Sequence, residues 1–147
     1  MKPRVLFVCD QNAARSQMAE AFLKRSAGTR FEAHSAGLEK GTLDRHAVEA
    51  MREIGFDISA NKTKSVDEPE IRLLQFRYVI TVCEHTQAVR CPIKPTQGNR
   101  ISWHFSDPVA FAASDELQLK VTRFVRDRIR AKVDDWLATL QSLPAAV

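Results

Sequence analysis

The sequence predicts an α/β fold with an open parallel sheet in a single domain, residues 1–147. Short runs of β-branched and aromatic residues alternate with longer segments of helical periodicity, which is typical of parallel strands joined by right-handed crossovers. A length of 147 residues suits one domain with one sizeable core. Hydrophobic residues make up 44% and charged residues 27% of the chain, a composition that excludes a disordered protein.

The first half of the chain contains two predicted strands and two predicted helices. Residues 4–8 are a continuous apolar run, which predicts a strand buried on both faces. Residues 16–27 carry apolar residues at helical spacing, and residues 31–35 predict a second strand that a glycine closes. Residues 44–54 predict a second helix, with Asp44 as its N-cap.

The second half contains two further strands and a long helix. Residues 69–75 predict a short helix, residues 78–82 a buried strand and residues 99–102 a short fourth strand. Residues 117–140 predict a long amphipathic helix. The apolar stripe of this helix consists of Val121, Phe124, Val125, Val133, Trp136, Leu137 and Leu140.

The net charge of +4 favours anionic ligands in general and identifies none. Most of the basic excess falls in the long helix, at Lys120, Arg123, Arg126, Arg128, Arg130 and Lys132. Because Asp127, Asp134 and Asp135 interrupt this cluster, we interpret it as a solvated helix face and expect no nucleic-acid partner.

The apolar segments of the chain are short. No run approaches the roughly 20 residues that a membrane helix needs, and Asp10 ends the first apolar stretch too early for a secretory signal. We therefore expect a cytoplasmic protein with no membrane partner. Three cysteines in such a chain argue against a static disulfide framework and leave catalysis, redox chemistry or metal binding.

Two of the cysteines follow predicted strands. Cys9 follows the first strand, and Cys83 follows the strand at residues 78–82. Ligands of open parallel sheets bind beyond the carboxyl ends of the strands. If these two strands are neighbours, about 4.8 Å apart, a modest loop movement brings the two thiols together.

The segment between Cys9 and Ser16 predicts an anion-binding site. It runs from a buried strand directly into a helix, where backbone N–H groups converge and favour a thiolate. Arg15 supplies a planar fork that matches two oxygens of a tetrahedral oxyanion, and Ser16 can donate a hydrogen bond to the thiolate. We call the segment the oxyanion loop; it consists of Asp10, Gln11, Asn12, Ala13, Ala14 and Arg15.

A carboxylic acid follows the last predicted strand. Asp107 precedes Pro108 and is expected at the same edge of the sheet as Cys9. There it can protonate a departing oxygen, although an isolated Asp-Pro pair is more often a plain turn.

These motifs resemble the low-molecular-weight protein tyrosine phosphatase superfamily. Within it, the chain is similar to the thioredoxin-coupled arsenate reductases over nearly its whole length. The stretches that carry the resemblance are Cys9 to Glu20, Ser35-Ala36-Gly37, His46 to Met51, Asp57-Ile58-Ser59, Val82-Cys83, Cys91-Pro92 and Asp107-Pro108.

The resemblance implies a four-stranded parallel sheet with helices on both faces and an arsenate reductase activity. Cys9 would attack arsenate, Cys83 would attack the Cys9–arsenic adduct, and Cys91 would then attack Cys83. Arsenite leaves, and thioredoxin, as the external thiol reductant, reduces the final disulfide. The implied catalytic residues are Cys9, Arg15, Ser16, Cys83, Cys91 and Asp107, with no tightly bound cofactor and an arsenate or phosphate oxyanion as ligand.

The chain departs from the family pattern at several positions. Gln11 and Ala13 stand where the family usually has glycine and serine, and Asp10 adds a negative charge beside the anion site. Residues 83 and 91 are eight apart, one more than the family spacing. An intact helix would hold their Cα atoms about 12 Å apart, too far for a disulfide, so this stretch must be or become a loop.

Some family members bind potassium. Asn12, Glu20 and Ser35 match that site, but Lys64 stands at the fourth position. A lysine ammonium can take the place of the ion, so no bound metal is expected.

Two other functions compete with arsenate reduction. A phosphatase would use the same Cys9, Arg15 and Asp107, but Val109 and Ala110 stand where that branch carries an aromatic wall. A redox or zinc module would be built on Cys83, His85 and Cys91, and it lacks a convincing fourth ligand.

Overall fold

The computed structural model describes residues 2–83, 91–96, 99–110 and 114–142. Its sheet has four strands in the order β2-β1-β3-β4, and all neighbouring pairs are parallel. The strands are β1 (Arg4–Cys9), β2 (Glu32–Gly37), β3 (Tyr78–Thr81) and β4 (Asn99–Ser102). The predicted four-stranded parallel α/β fold is confirmed.

Helices cover both faces of the sheet. Those of the described chain are α1 (Arg15–Ala27), α2 (Arg45–Arg52), α3 (Pro69–Arg72) and α4 (Asp115–Ser142), with a 3-10 turn at Pro108–Ala110. Helices α1, α2 and α4 pack on one face and form the larger core. Helix α3 packs on the other face and closes a smaller core. No helix in the described ranges is long and apolar enough to cross a membrane.

Strand β1 divides its side chains between the two cores. Phe7 and Cys9 belong to the larger core, and Leu6 and Val8 belong to the smaller one, because side chains alternate along a strand. Strand β1 is paired with β3. The strands that precede Cys9 and Cys83 are therefore neighbours, the condition under which the two thiols were expected to meet. The carboxyl end of β1, where Cys9 lies, is therefore flanked by the ends of β2 and β3.

Strand β2 ends later than predicted. The sequence suggested a strand at residues 31–35 that Gly37 closes, whereas Gly37 lies inside β2 and pairs with Cys9. Gly37 also forms a bridge with Ser65 on its other side. Gly37 thus pairs with Cys9 and with Ser65, and this pairing extends β2. The local sequence around Gly37 does not indicate it. The Asp44 cap is confirmed, since its carboxylate accepts the Ala47 N–H at 2.9 Å.

Two predictions about α4 are wrong. Phe124, a member of the predicted apolar stripe, is 62% exposed, and Ile129, which lies outside that stripe, is fully buried. Arg126 was placed on the solvated face but is buried. Its guanidinium donates to the Ala50 carbonyl at 2.8 Å and to Glu53 at 3.2 Å. Helix α4 packs against α2, and this neighbour sets the buried face.

Candidate active site

The Cys9 sulfur lies at the end of β1, where the oxyanion loop begins. It is buried, and its Sγ is 2.9 Å from the Ser16 Oγ. Ala14 precedes α1 and provides no side-chain cap. The first N–H groups of a helix have no intrahelical partner, so those of α1 are available to an anion beside the thiol.

Asn12 holds the oxyanion loop in shape. Its backbone is left-handed, with a φ of 57°, a conformation that asparagine tolerates better than most residues. Its Oδ1 accepts the backbone N–H of Lys64 at 2.9 Å and the Gln17 amide at 3.0 Å. Its Nδ2 donates to Ser16 Oγ at 2.8 Å and to Ser35 Oγ at 3.0 Å. All four hydrogen-bonding positions of this fully buried side chain are used.

The Asn12 amide also sets the role of the Ser16 hydroxyl. Because Asn12 donates to Ser16 Oγ, the hydroxyl hydrogen of Ser16 remains free to point at Cys9 Sγ. Ser16 is thus oriented as a donor to a thiolate, the geometry that its predicted role needs. The catalytic role itself remains a prediction.

Gly37 lets the oxyanion loop approach β2. A Cβ at Gly37 would lie 2.6 Å from the Asn12 nitrogen and 2.6 Å from the Gln11 carbonyl carbon. Both are backbone atoms of the loop, so no side chain can turn away to make room. This close approach is not predicted from the sequence, although the glycine in Ser35-Ala36-Gly37 is a signal of it.

Arg15 brings its guanidinium to the mouth of the loop. The side chain is only 3% exposed, and its Nη1 donates to the Phe105 carbonyl at 3.0 Å. Its Nη2 lies 3.5 Å from Asp10 Oδ2 and 3.6 Å from Asp107 Oδ2. One nitrogen is thus anchored, and the other faces two carboxylates.

A cavity of about 220 Å³ opens over these groups. Its described lining consists of Cys9, Asp10, Gln11, Ala13, Ala14, Arg15, Asp107 and Val109. Asp107 Oδ1 accepts the Val109 N–H at 3.0 Å, which turns Oδ2 toward Arg15. The site therefore combines a buried thiol, a cation and a carboxyl group around a space that fits a tetrahedral oxyanion.

The other two cysteines lie on opposite faces of the sheet. Cys83 shares the larger core with Cys9, whereas Cys91 packs in the smaller core; all three are free thiols. Burial, with the negative charge of Asp10 added, raises the pKa of Cys83 to about 11. Burial also raises the pKa of Cys91. Both thiols are therefore protonated at neutral pH.

The structure does not bring the Lys64 ammonium onto Asn12. The ammonium donates to the Lys62 carbonyl at 3.3 Å, and only the backbone N–H of Lys64 reaches Asn12. Glu20 pairs with Lys24 at 2.8 Å. Replacement of an ion by Lys64 remains a prediction. No three side chains of His, Cys, Asp or Glu within the described ranges gather as a metal site, and His85 of the zinc hypothesis lies outside them.

The chain is similar to known proteins over nearly its whole length. A family model described as low molecular weight phosphotyrosine protein phosphatase matches residues 4–144. The arsenate reductase of Halalkalibacterium halodurans is 36% identical over 138 residues, 94% of this chain and 97% of that protein.

Two solved structures of arsenate reductases have a similar fold. One, in the oxidized state, matches with a TM-score of 0.74 and 29% identity and covers 95% of this chain and 98% of its own. The other is the thioredoxin-dependent arsenate reductase of Corynebacterium glutamicum. It matches with a TM-score of 0.68 and 27% identity over 95% of this chain and 62% of that one.

Proposed function

Because the chain belongs to the low molecular weight phosphotyrosine protein phosphatase family, we propose that it is an arsenate reductase whose three cysteines act in turn. The family resemblance predicted from the sequence is confirmed by the match over residues 4–144. The observation that carries the proposal is a second thiol, Cys83, in the same buried core as Cys9 and next to the neighbouring strand β3. A phosphatase of this design needs only the first thiol.

The first step uses the cavity around Cys9. Arsenate binds between the amides of the oxyanion loop and the Arg15 guanidinium, and the Cys9 thiolate attacks arsenic. A sulfur–arsenic bond forms and an arsenic–oxygen bond breaks. Asp107 in its protonated form gives its proton to the departing hydroxyl, which leaves as water.

The second step uses Cys83. Its thiolate attacks the sulfur of Cys9, a disulfide forms, and the electron pair of the sulfur–arsenic bond stays on arsenic, which leaves as arsenite. Charge on Cys9 is one of the causes that raise the pKa of Cys83. The adduct keeps negative charge on its arsenic oxygens, so the Cys83 proton passes to solvent as the thiolate forms. The Arg15 guanidinium lowers the pKa of Cys83 and favours that thiolate.

The third step transfers the disulfide to Cys91. Cys91 gives its proton to solvent, its thiolate attacks the sulfur of Cys83, and Cys9 leaves as a thiolate ready for another turnover. Cys91 has to leave the smaller core to reach Cys83, because the two thiols pack on opposite faces of the sheet. The dithiol of thioredoxin then reduces the Cys83–Cys91 disulfide. The thioredoxin-dependent relative with a similar fold supports this choice of reductant.

A phosphomonoester is the alternative substrate, since Cys9, Arg15 and Asp107 also suit phosphoryl transfer. The described residues that line the cavity include no aromatic side chain to pack on a phenyl ring. Val109, 46% exposed, occupies that wall. We therefore favour the oxidoreductase.

The test is a coupled assay with thioredoxin, thioredoxin reductase and NADPH, run beside hydrolysis of nitrophenyl phosphate. We expect NADPH oxidation that depends on both arsenate and thioredoxin and that greatly exceeds phosphate ester hydrolysis. Ester hydrolysis without arsenate-dependent oxidation would reverse the proposal in favour of the phosphatase. Oxidation that is supported equally well by other thiols would refute thioredoxin as the reductant.

A further inference from the structure

Asp10 places a carboxylate on the wall of the anion-binding cavity. Its side chain is 37% exposed, and the residue lines the cavity together with Cys9 and Arg15. Its Oδ2 lies 3.5 Å from Nη2 of Arg15, a residue that also lines the cavity. An oxyanion held by that nitrogen therefore has the Asp10 carboxylate as a neighbour.

This carboxylate has too few hydrogen-bond donors. Oδ1 is buried without a hydrogen-bond partner among the described residues. The 3.5 Å contact of Oδ2 is longer than the 2.7–2.9 Å typical of a charge-assisted N–H bond. Burying a charged acceptor without a donor is costly. Because Oδ1 is buried, Oδ2 is the oxygen that a ligand in the cavity can reach. A ligand that donates a hydrogen bond to Oδ2 therefore stabilises a carboxylate that is short of donors.

Oxyanions differ in whether they can supply that donor. At mildly alkaline pH, hydrogen arsenate and hydrogen phosphate are dianions that keep one O–H group, whereas sulfate is a dianion with none. The O–H group can donate a short, charge-assisted hydrogen bond to a carboxylate. Sulfate presents only acceptor oxygens, which the Asp10 charge repels.

We propose that Asp10 is a specificity-determining residue that selects protonated oxyanions and rejects sulfate. The identity of the substrate as arsenate rests on the proposed function, but the selection itself concerns binding alone. It gives a physical reason for a negative charge in a loop that binds anions, which otherwise weakens the site. An enzyme that takes up a scarce oxyanion in the presence of sulfate gains directly from this selection.

The test compares the dissociation constants of phosphate and sulfate, measured by calorimetry at mildly alkaline pH. We expect the wild-type protein to bind phosphate at least about tenfold more tightly than sulfate. In Asp10→Asn, the amide can donate to sulfate, and the ratio should fall to about twofold or less. Both ligands are dianions, so removing the Asp10 charge weakens the repulsion of both alike. A change in this ratio therefore reports the hydrogen bond that phosphate alone can donate to Asp10.

Two variants serve as matched controls. Glu39→Gln removes one charge from an exposed residue whose backbone N–H bonds the Asp10 carbonyl at 2.9 Å, and it should leave the ratio at the wild-type value. Asp107→Asn removes the other carboxylate near Arg15 Nη2. If the ratio falls in Asp107→Asn and not in Asp10→Asn, Asp107 is the selecting residue and the proposal is wrong.

Equal affinities in the wild-type protein, or an unchanged ratio in Asp10→Asn, would also overturn the proposal. Thermal unfolding shows whether Asp10→Asn is folded. If it is not, Asp10→Ala replaces it, and the same fall in the ratio is expected. Because neither ligand is turned over, the measurement is independent of arsenate reduction. A protein that discriminates as expected but reduces no arsenate would refute the proposed function and leave the role of Asp10 intact.

Discussion

Replacing Cys9 with serine is expected to lower the rate of arsenate reduction by about a thousandfold or more. Cys9 lies beside the first turn of α1, and its Sγ is 2.9 Å from the Ser16 hydroxyl, which can donate to it. A serine hydroxyl in the same place is hardly ionised at neutral pH, so the first bond to arsenic does not form. The rate is measured by thioredoxin-coupled NADPH oxidation.

Phosphate affinity is the control for Cys9→Ser. The oxyanion loop and Arg15 are unchanged in this variant, so the dissociation constant of phosphate should stay within a few-fold of the wild-type value. Near-wild-type reduction by Cys9→Ser would exclude Cys9 as the nucleophile. Loss of phosphate binding together with activity would instead indicate a damaged loop.

Replacing Arg15 with lysine is expected to lower kcat/KM for arsenate by about a hundredfold or more, although the charge is kept. The Arg15 guanidinium donates to the Phe105 carbonyl with Nη1, and its Nη2 lies 3.5 Å from Asp10 on the wall of the cavity that Arg15 also lines. A lysine ammonium is a single point of charge and cannot serve both places. Phosphate affinity should fall as well, because binding and catalysis use the same nitrogen.

Arg25→Lys is the matched control. Arg25 lies on the same helix, is exposed and bonds the Gly55 carbonyl at 3.0 Å, and it does not line the cavity. Its replacement should leave kcat/KM unchanged. If Arg15→Lys were as active as Arg25→Lys, catalysis would not need one guanidinium to contact both the Phe105 carbonyl and the oxyanion.

The parts of the fold that depend on local sequence were predictable. Strand β1 is a continuous apolar run, the oxyanion loop is one contiguous segment, and Asp44 caps its helix through a residue three positions away. In each case the residues that decide the structure are neighbours in the chain.

The parts that depend on distant contacts were not predictable. The length of β2 follows from the pairing of Gly37 with Cys9 and Ser65, which are far away in sequence. The need for a glycine there follows from the approach of the oxyanion loop. The burial of Arg126 depends on Ala50 and Glu53 of another element. The placement of Cys91 in the smaller core depends on packing against the other face of the sheet. No local pattern carries this information.

The order of the three thiols is the central claim, and peptide mapping after treatment with arsenate tests it most directly. Without added reductant, the wild-type protein should accumulate a Cys83–Cys91 disulfide. Cys91→Ser should release about one equivalent of arsenite per protein and then stop as a Cys9–Cys83 disulfide. The thiol that would attack this disulfide is absent from the variant. A wild-type protein that never shows the Cys83–Cys91 link, or a Cys91→Ser variant that turns over repeatedly with thioredoxin, would contradict the relay.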